Sequence, residues 1–90
     1  KYGRKDNNHN FIVKDLNRLG YEVMDLSSLG NGRPDILVLS STVCQLFEIK
    51  SDKGKLTKDQ VDYIGKMKLL GIIIPVVKTT EEILIYLGIK

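Results

Sequence analysis

The sequence predicts an α/β fold with element order α-β-β-β-α-β-α and a central mixed four-stranded sheet flanked by helices. Three features predict it: apolar residues at helical spacing near the start, two strand-like runs joined by a short polar turn, and a complete helix-start signature at Thr57.

The first helix is expected from about Asn7 to Leu19, with Asp6 as N-cap, Gly20 as the stop, and Ile12, Leu16 and Leu19 as its inner stripe. Asn8, four residues before Ile12, points the same way. Tyr21 to Leu26 alternates as a strand, and the Gly30-Asn31-Gly32 run that follows is a turn signal. Pro34 to Leu39 is the second strand, with Pro34 tolerated at its start. Cys44 to Lys50 is the third, and Ser40-Ser41-Thr42 between them marks an antiparallel hairpin. Both strands are largely apolar on both faces, which places them centrally in a sheet covered on two sides. Thr57 and Gln60 form a T-x-x-Q capping box, Leu56 and Val61 occupy staple positions, and Gly71 ends this second helix. Ile72 to Val77 is the fourth strand, and Thr80 to Leu87 a short last helix capped by Thr80 with Glu81 and Glu82 in its first turn.

Ninety residues make one domain, residues 1–90 with a core of about 6–87, and a core this small gains from self-association. Fourteen basic and 11 acidic residues leave a net charge of +3, a weak pull toward a polyanionic partner. The single Cys44 excludes an intramolecular disulfide and any multi-cysteine zinc site, and suits a reducing, cytoplasmic compartment. One histidine rules out a histidine-rich metal site. Gly71 and Pro75 interrupt the longest apolar run, so no membrane span is expected, and the polar first ten residues do not resemble a secretory signal. The chain opens on Lys1 without Met, as a fragment lacking its start would.

The hairpin carries the chemistry. With its turn centred between Ser41 and Thr42, Leu37 meets Leu46, Leu39 meets Cys44, Ile36 meets Phe47, and Asp35 faces Glu48. Directly opposed Cβ atoms lie about 5 Å apart, where two like charges are destabilising unless compensated. A divalent cation is the natural compensation. Asp35 and Glu48 suit a hard ion, Mg²⁺ or Mn²⁺, to which the Ile49 backbone carbonyl adds a further oxygen. Lys50 shares the Glu48 face, placed to orient a metal-activated water or offset transition-state charge. That is the chemistry of phosphodiester hydrolysis.

Gly32-Arg33-Pro34-Asp35, twelve intervening residues, and Glu48-Ile49-Lys50 resemble the signature of the PD-(D/E)xK nuclease superfamily, whose restriction-endonuclease-like core has the same element order. Glu-x-Lys alone recurs by chance about once in 300 positions. Joined to Pro-Asp on the preceding strand and to the downstream Leu56-Thr57-x-x-Gln60, it is far more specific. The stretch Glu48 to Gln60 and the opening Asp6-x-Asn8-His9 with Ile12-Val13 resemble the virus-type replication-repair nuclease (VRR-NUC) branch and its small phage members.

The resemblance implies a DNA endonuclease leaving 5′-phosphates, acting on structured DNA such as a Holliday junction in replication, recombination or repair. A homodimer is expected because the domain is small and paired sites would cut both strands; a helicase or replication partner and a bacterial or phage-infected cell are further expectations. Many superfamily members carry a metal-supporting glutamate on the first helix. Here that inward position falls on Asn8, whose amide would ligate the ion or hydrogen-bond its water without adding charge.

Other residues keep two readings. Gln60 serves the capping box or reaches inward with Ile64 and Met67. Arg33 clamps a phosphate or merely belongs to the turn, and Lys53, Lys55 and Lys58 form a phosphate-binding rim or a solvated loop. His9 is expected to face solvent, Cys44 to be a small buried hydrophobe, and Tyr63 and Phe47 to be core or interface residues. The rival functions are a non-catalytic nucleic-acid-binding module with this fold, and a structural or inhibitory interaction protein.

Overall fold

A computed structural model describes residues 8–90. Its elements run α1 His9–Arg18, β1 Glu22–Asp25, β2 Ile36–Leu39, β3 Cys44–Ile49, α2 Lys58–Leu69, β4 Val76–Val77 and α3 Thr80–Tyr86. The strands form one mixed sheet in the order β1-β2-β3-β4, with β1 to β3 antiparallel and β4 parallel to β3. The expected fold class and element order are both observed. No helix among the described residues is long and apolar enough to cross a membrane.

Ile36 pairs with Phe47, Leu37 with Leu46, Val38 with Gln45 and Leu39 with Cys44, the register that apolar matching demands. Because side chains alternate across the sheet, Ile36, Val38, Phe47 and Ile49 fall on one face. There they join Ile12 and Leu16 of α1 and Ile83 of α3 in the buried core. Phe47 is wholly buried and meets Tyr86 edge-on, at 5.7 Å between ring centres. It is a core residue.

The opposite face is less covered than the sequence suggests. Leu37, Leu39 and Leu46 are half-buried, and Cys44, expected inside, is exposed. Helix α2 buries none of its residues and meets this face at the Glu48 end, where Gln60 in its first turn bonds that carboxylate. Gly71 does terminate α2: its N–H reaches the Lys68 carbonyl and that of Ile72 the Met67 carbonyl, a closing geometry that needs the positive φ of 86° found there.

Four other expectations are corrected. Leu19 is the C-cap of α1 and lies exposed, so Ile12 and Leu16 carry the apolar part of the inner stripe, with His9 buried one turn before them. His9, expected in solvent, is 1% exposed, because α1 packs its first turn on the end of β1, where the Asp25 carboxylate lies 3.3 Å from Nε2. Only Val76 and Val77 of the fourth strand are paired: Pro75 has no N–H to give and serves instead as an acceptor for the Glu48 N–H at 2.9 Å. The cap of α3 is Thr79 rather than Thr80, its extended backbone letting the side chain accept from Glu82 N–H. The expected cap at Asp6 lies outside the described residues.

Candidate active site

The site forms where β2 begins, β3 ends and α2 starts. The strand pairing stops at Ile36 and Phe47, and the Asp35 N–H also meets the Phe47 carbonyl, at 3.1 Å. Asp35 is thus at a bulge-like step instead of sitting squarely opposite Glu48, a correction to the expected register. The cause is the turn just before it. Arg33 N–H bonds back to the Gly30 carbonyl and Pro34 has no donor, so the chain leaves the ladder. The Asp35 carboxylate takes up the vacated role: Oδ2 accepts the Ile49 N–H at 2.8 Å. Its own carbonyl accepts the Leu26 N–H at 2.8 Å, so backbone and side chain of Asp35 are both held.

Glu48 is 1% exposed, an unusual burial for a carboxylate, and a buried charge requires compensation. Gln60 Nε2 donates to its Oε2 at 2.9 Å, and Lys50 Nζ stands 3.9 Å from the same oxygen. Lys50 is itself largely covered, with 15% of its side chain exposed.

Gln60 does both things the sequence left open. Its Oε1 accepts the Thr57 N–H at 2.9 Å and its own N–H donates to Thr57 Oγ1 at 3.2 Å, completing the capping box. The remaining amide end is left for Glu48. A capping residue thereby fixes the rotamer of the buried acid, which spacing alone does not reveal.

What lets α2 come this close is Gly32. A Cβ there would run into the Asp59 carbonyl, and its φ of 78° is one that side-chain-bearing residues seldom adopt. Next to it, the Arg33 guanidinium lies 4.8 Å over the Tyr63 ring while Nη1 donates to the Asn31 carbonyl at 3.2 Å. Tyr63, expected as core or interface, instead carries Arg33 at the rim of the site.

The remaining candidates are placed as follows. Lys53 and Lys55 lie exposed on the loop after β3. Lys58 is committed to Asp62 at 2.7 Å, and that hydrogen bond and charge raise its pKa above the usual lysine value. Asn8 donates both amide hydrogens to backbone carbonyls, those of Lys50 at 3.2 Å and Lys78 at 2.5 Å. Its amide nitrogen therefore serves the sheet, while Oδ1, the atom that could ligate an ion or accept from its water, has no hydrogen-bond partner among the described residues. Among the described residues no group of three or more His, Cys, Asp or Glu side chains gathers as a metal cage, so Asp35 and Glu48 are a two-carboxylate set.

No family model matches this chain, and no curated protein does either. Among solved structures, one described as a VRR_NUC domain superposes with a TM-score of 0.66 over 86% of this chain and 88% of its own length, at 24% sequence identity. The chain has the fold of that domain, in agreement with the resemblance carried by Gly32 to Gln60.

Proposed function

We propose that this domain is a metal-dependent endonuclease of the VRR-NUC type that hydrolyses DNA phosphodiester bonds, with branched or otherwise structured DNA as its substrate class. The observation that carries the reading is a buried carboxylate, Glu48, held between an amide and a lysine, beside a second carboxylate bonded to the next residue of the same strand. A fold shared with a VRR_NUC domain supports the same reading.

The donor chemistry fits Mg²⁺ or Mn²⁺. Asp35 and Glu48 offer anionic oxygens and the Ile49 carbonyl a neutral one, an all-oxygen set that leaves positions for water and phosphate. When bound, such an ion supplies an activated water and offsets negative charge on the attacked phosphate. Gln60 holds the Glu48 carboxylate in one orientation, and the Ile49 N–H does the same for Asp35. The Lys50 ammonium orients the attacking water and stabilises charge on the scissile phosphate. Arg33, with its guanidinium flat on Tyr63, and the exposed Lys53 and Lys55 position the flanking backbone, a role that Lys58 shares only weakly because Asp62 holds it.

A homodimer belongs to this reading, since paired sites cut both strands of a branched substrate. The uncovered sheet face supports it: Leu37, Cys44, Leu46, Ile72 and Ile73 line an apolar groove of about 470 Å³.

The test is a panel of end-labelled linear, nicked, flap and four-way-junction DNA with Mg²⁺ or Mn²⁺. Cleavage leaving 5′-phosphates, abolished by EDTA, is the expected result; cleavage that ignores EDTA contradicts it. Binding without turnover, unaffected by Asp35→Ala, would favour the non-catalytic nucleic-acid-binding module.

The double role of Gln60 separates by mutation. Thr57→Ala removes the cap alone and is expected to lower stability by about 1 kcal/mol with cleavage near wild type. Gln60→Leu removes cap and acid support together and is expected to lower cleavage by about 10- to 100-fold. Thermal denaturation and single-turnover kinetics on the two variants check this, and equal cleavage losses would refute the separation.

A further inference from the structure

Asn8 stands at the N-cap of α1, a position where asparagine ordinarily caps the helix with its side chain. Here it does not. Its backbone is helical, at φ −84° and ψ −5°, rather than extended, and the side chain makes no cap hydrogen bond. The amide is instead turned to the sheet, 42 and 70 residues away in sequence, where Nδ2 bonds the carbonyls of Lys50 and Lys78. Two carbonyl acceptors fix which end of the amide is nitrogen, because only NH₂ can donate to both. The Oδ1 atom is buried with no hydrogen-bond partner among the described residues, while the nitrogen keeps its two donations.

The two carbonyls lie just past the last paired residues of β3 and β4. The parallel pairing of these strands is two residues long, and its final bond runs from Lys50 N–H to the Val77 carbonyl at 2.9 Å. Such a short pairing would fray at the end that carries Lys50. From these contacts we infer that Asn8 is a positioning residue: it clamps the ends of β3 and β4 together and so fixes the backbone from which Lys50 reaches Glu48. The inference rests on the proposed catalytic role of Lys50, but the clamp can be read without it. A neutral amide is required for the clamp, because a carboxylate at this position would set its oxygens against two carbonyl oxygens. The two donations of Asn8 therefore act through the sheet.

The experiment pairs amide hydrogen exchange with cleavage kinetics on Asn8→Asp and Asn8→Ser. The serine variant offers a helix-capping hydroxyl, which guards α1 against loss. Exchange at the Lys50 amide is expected to quicken by roughly fivefold to tenfold in both variants. With DNA, kcat is expected to fall by about 10- to 100-fold at unchanged KM and unchanged Mg²⁺ requirement. Unchanged Lys50 exchange in both variants would overturn the clamp. Cleavage by Asn8→Asp equal to or above wild type, or at lower Mg²⁺, would overturn it in favour of a metal-supporting role. Should the wild type cleave no DNA, the function fails while the exchange measurement still decides the clamp.

Discussion

Glu48→Gln is expected to lower DNA cleavage by about a thousandfold while leaving the fold intact. The substitution is isosteric, and a glutamine carbonyl at this position still accepts from Gln60 Nε2, so the buried hydrogen bond survives. What is lost is the negative charge, and with it the anionic oxygen offered to a divalent ion. Lys50→Met is the companion change. It keeps the apolar stem that is largely covered here, but removes the ammonium 3.9 Å from Glu48 Oε2. Cleavage is expected to fall by about 100-fold or more with DNA binding retained, because the role proposed for this ammonium is toward the reacting phosphate and water rather than the flanking backbone. Single-turnover rates and DNA titrations measure both, and wild-type rates from either variant would remove these residues from the mechanism.

Gly32→Ala is expected to disrupt the site without touching a charged group. The alanine must adopt φ 78° and also push away the Asp59 carbonyl in the first turn of α2. Backbone strain of this kind costs about 1–3 kcal/mol, and the displaced helix carries Gln60 away from Glu48. Stability and cleavage should therefore fall together, the reverse of the Glu48→Gln pattern. Chemical denaturation with cleavage kinetics checks it; a variant as stable and active as wild type would show that the close approach of the turn to α2 is dispensable.

The parts of this molecule that were legible in its sequence are those set by local chemistry. The hairpin register follows from pairing Leu37 with Leu46 and Ile36 with Phe47, and the start of α2 from Thr57 and Gln60. Long-range geometry was not legible. Extending the hairpin register places Asp35 opposite Glu48, whereas the Gly30–Arg33 turn and Pro34 pull the chain out of the ladder and hand the Ile49 N–H to Asp35. His9 looks like a solvent residue until Asp25, from the next element, supplies a buried partner. Cys44 has the neighbours of a core position but lies exposed, because α2 meets this sheet face at the Glu48 end and buries none of its own residues. The likeness of motif pointed Asn8 toward a metal and gave no hint that its amide nitrogen bonds the Lys50 and Lys78 carbonyls, which no spacing rule connects to it.

The central claim is that Asp35 and Glu48 hold a divalent ion that cleavage requires. The most direct measurement is single-turnover cleavage of an end-labelled four-way junction across a Mn²⁺ titration, with wild type and Asp35→Asn side by side. An asparagine oxygen still accepts the Ile49 N–H, so the variant keeps its backbone and loses only charge. Saturable, EDTA-sensitive cleavage by wild type is expected, with Asp35→Asn needing far more Mn²⁺ or failing to cut. Cleavage that persists in EDTA, or superimposable Mn²⁺ curves for the two proteins, would contradict it.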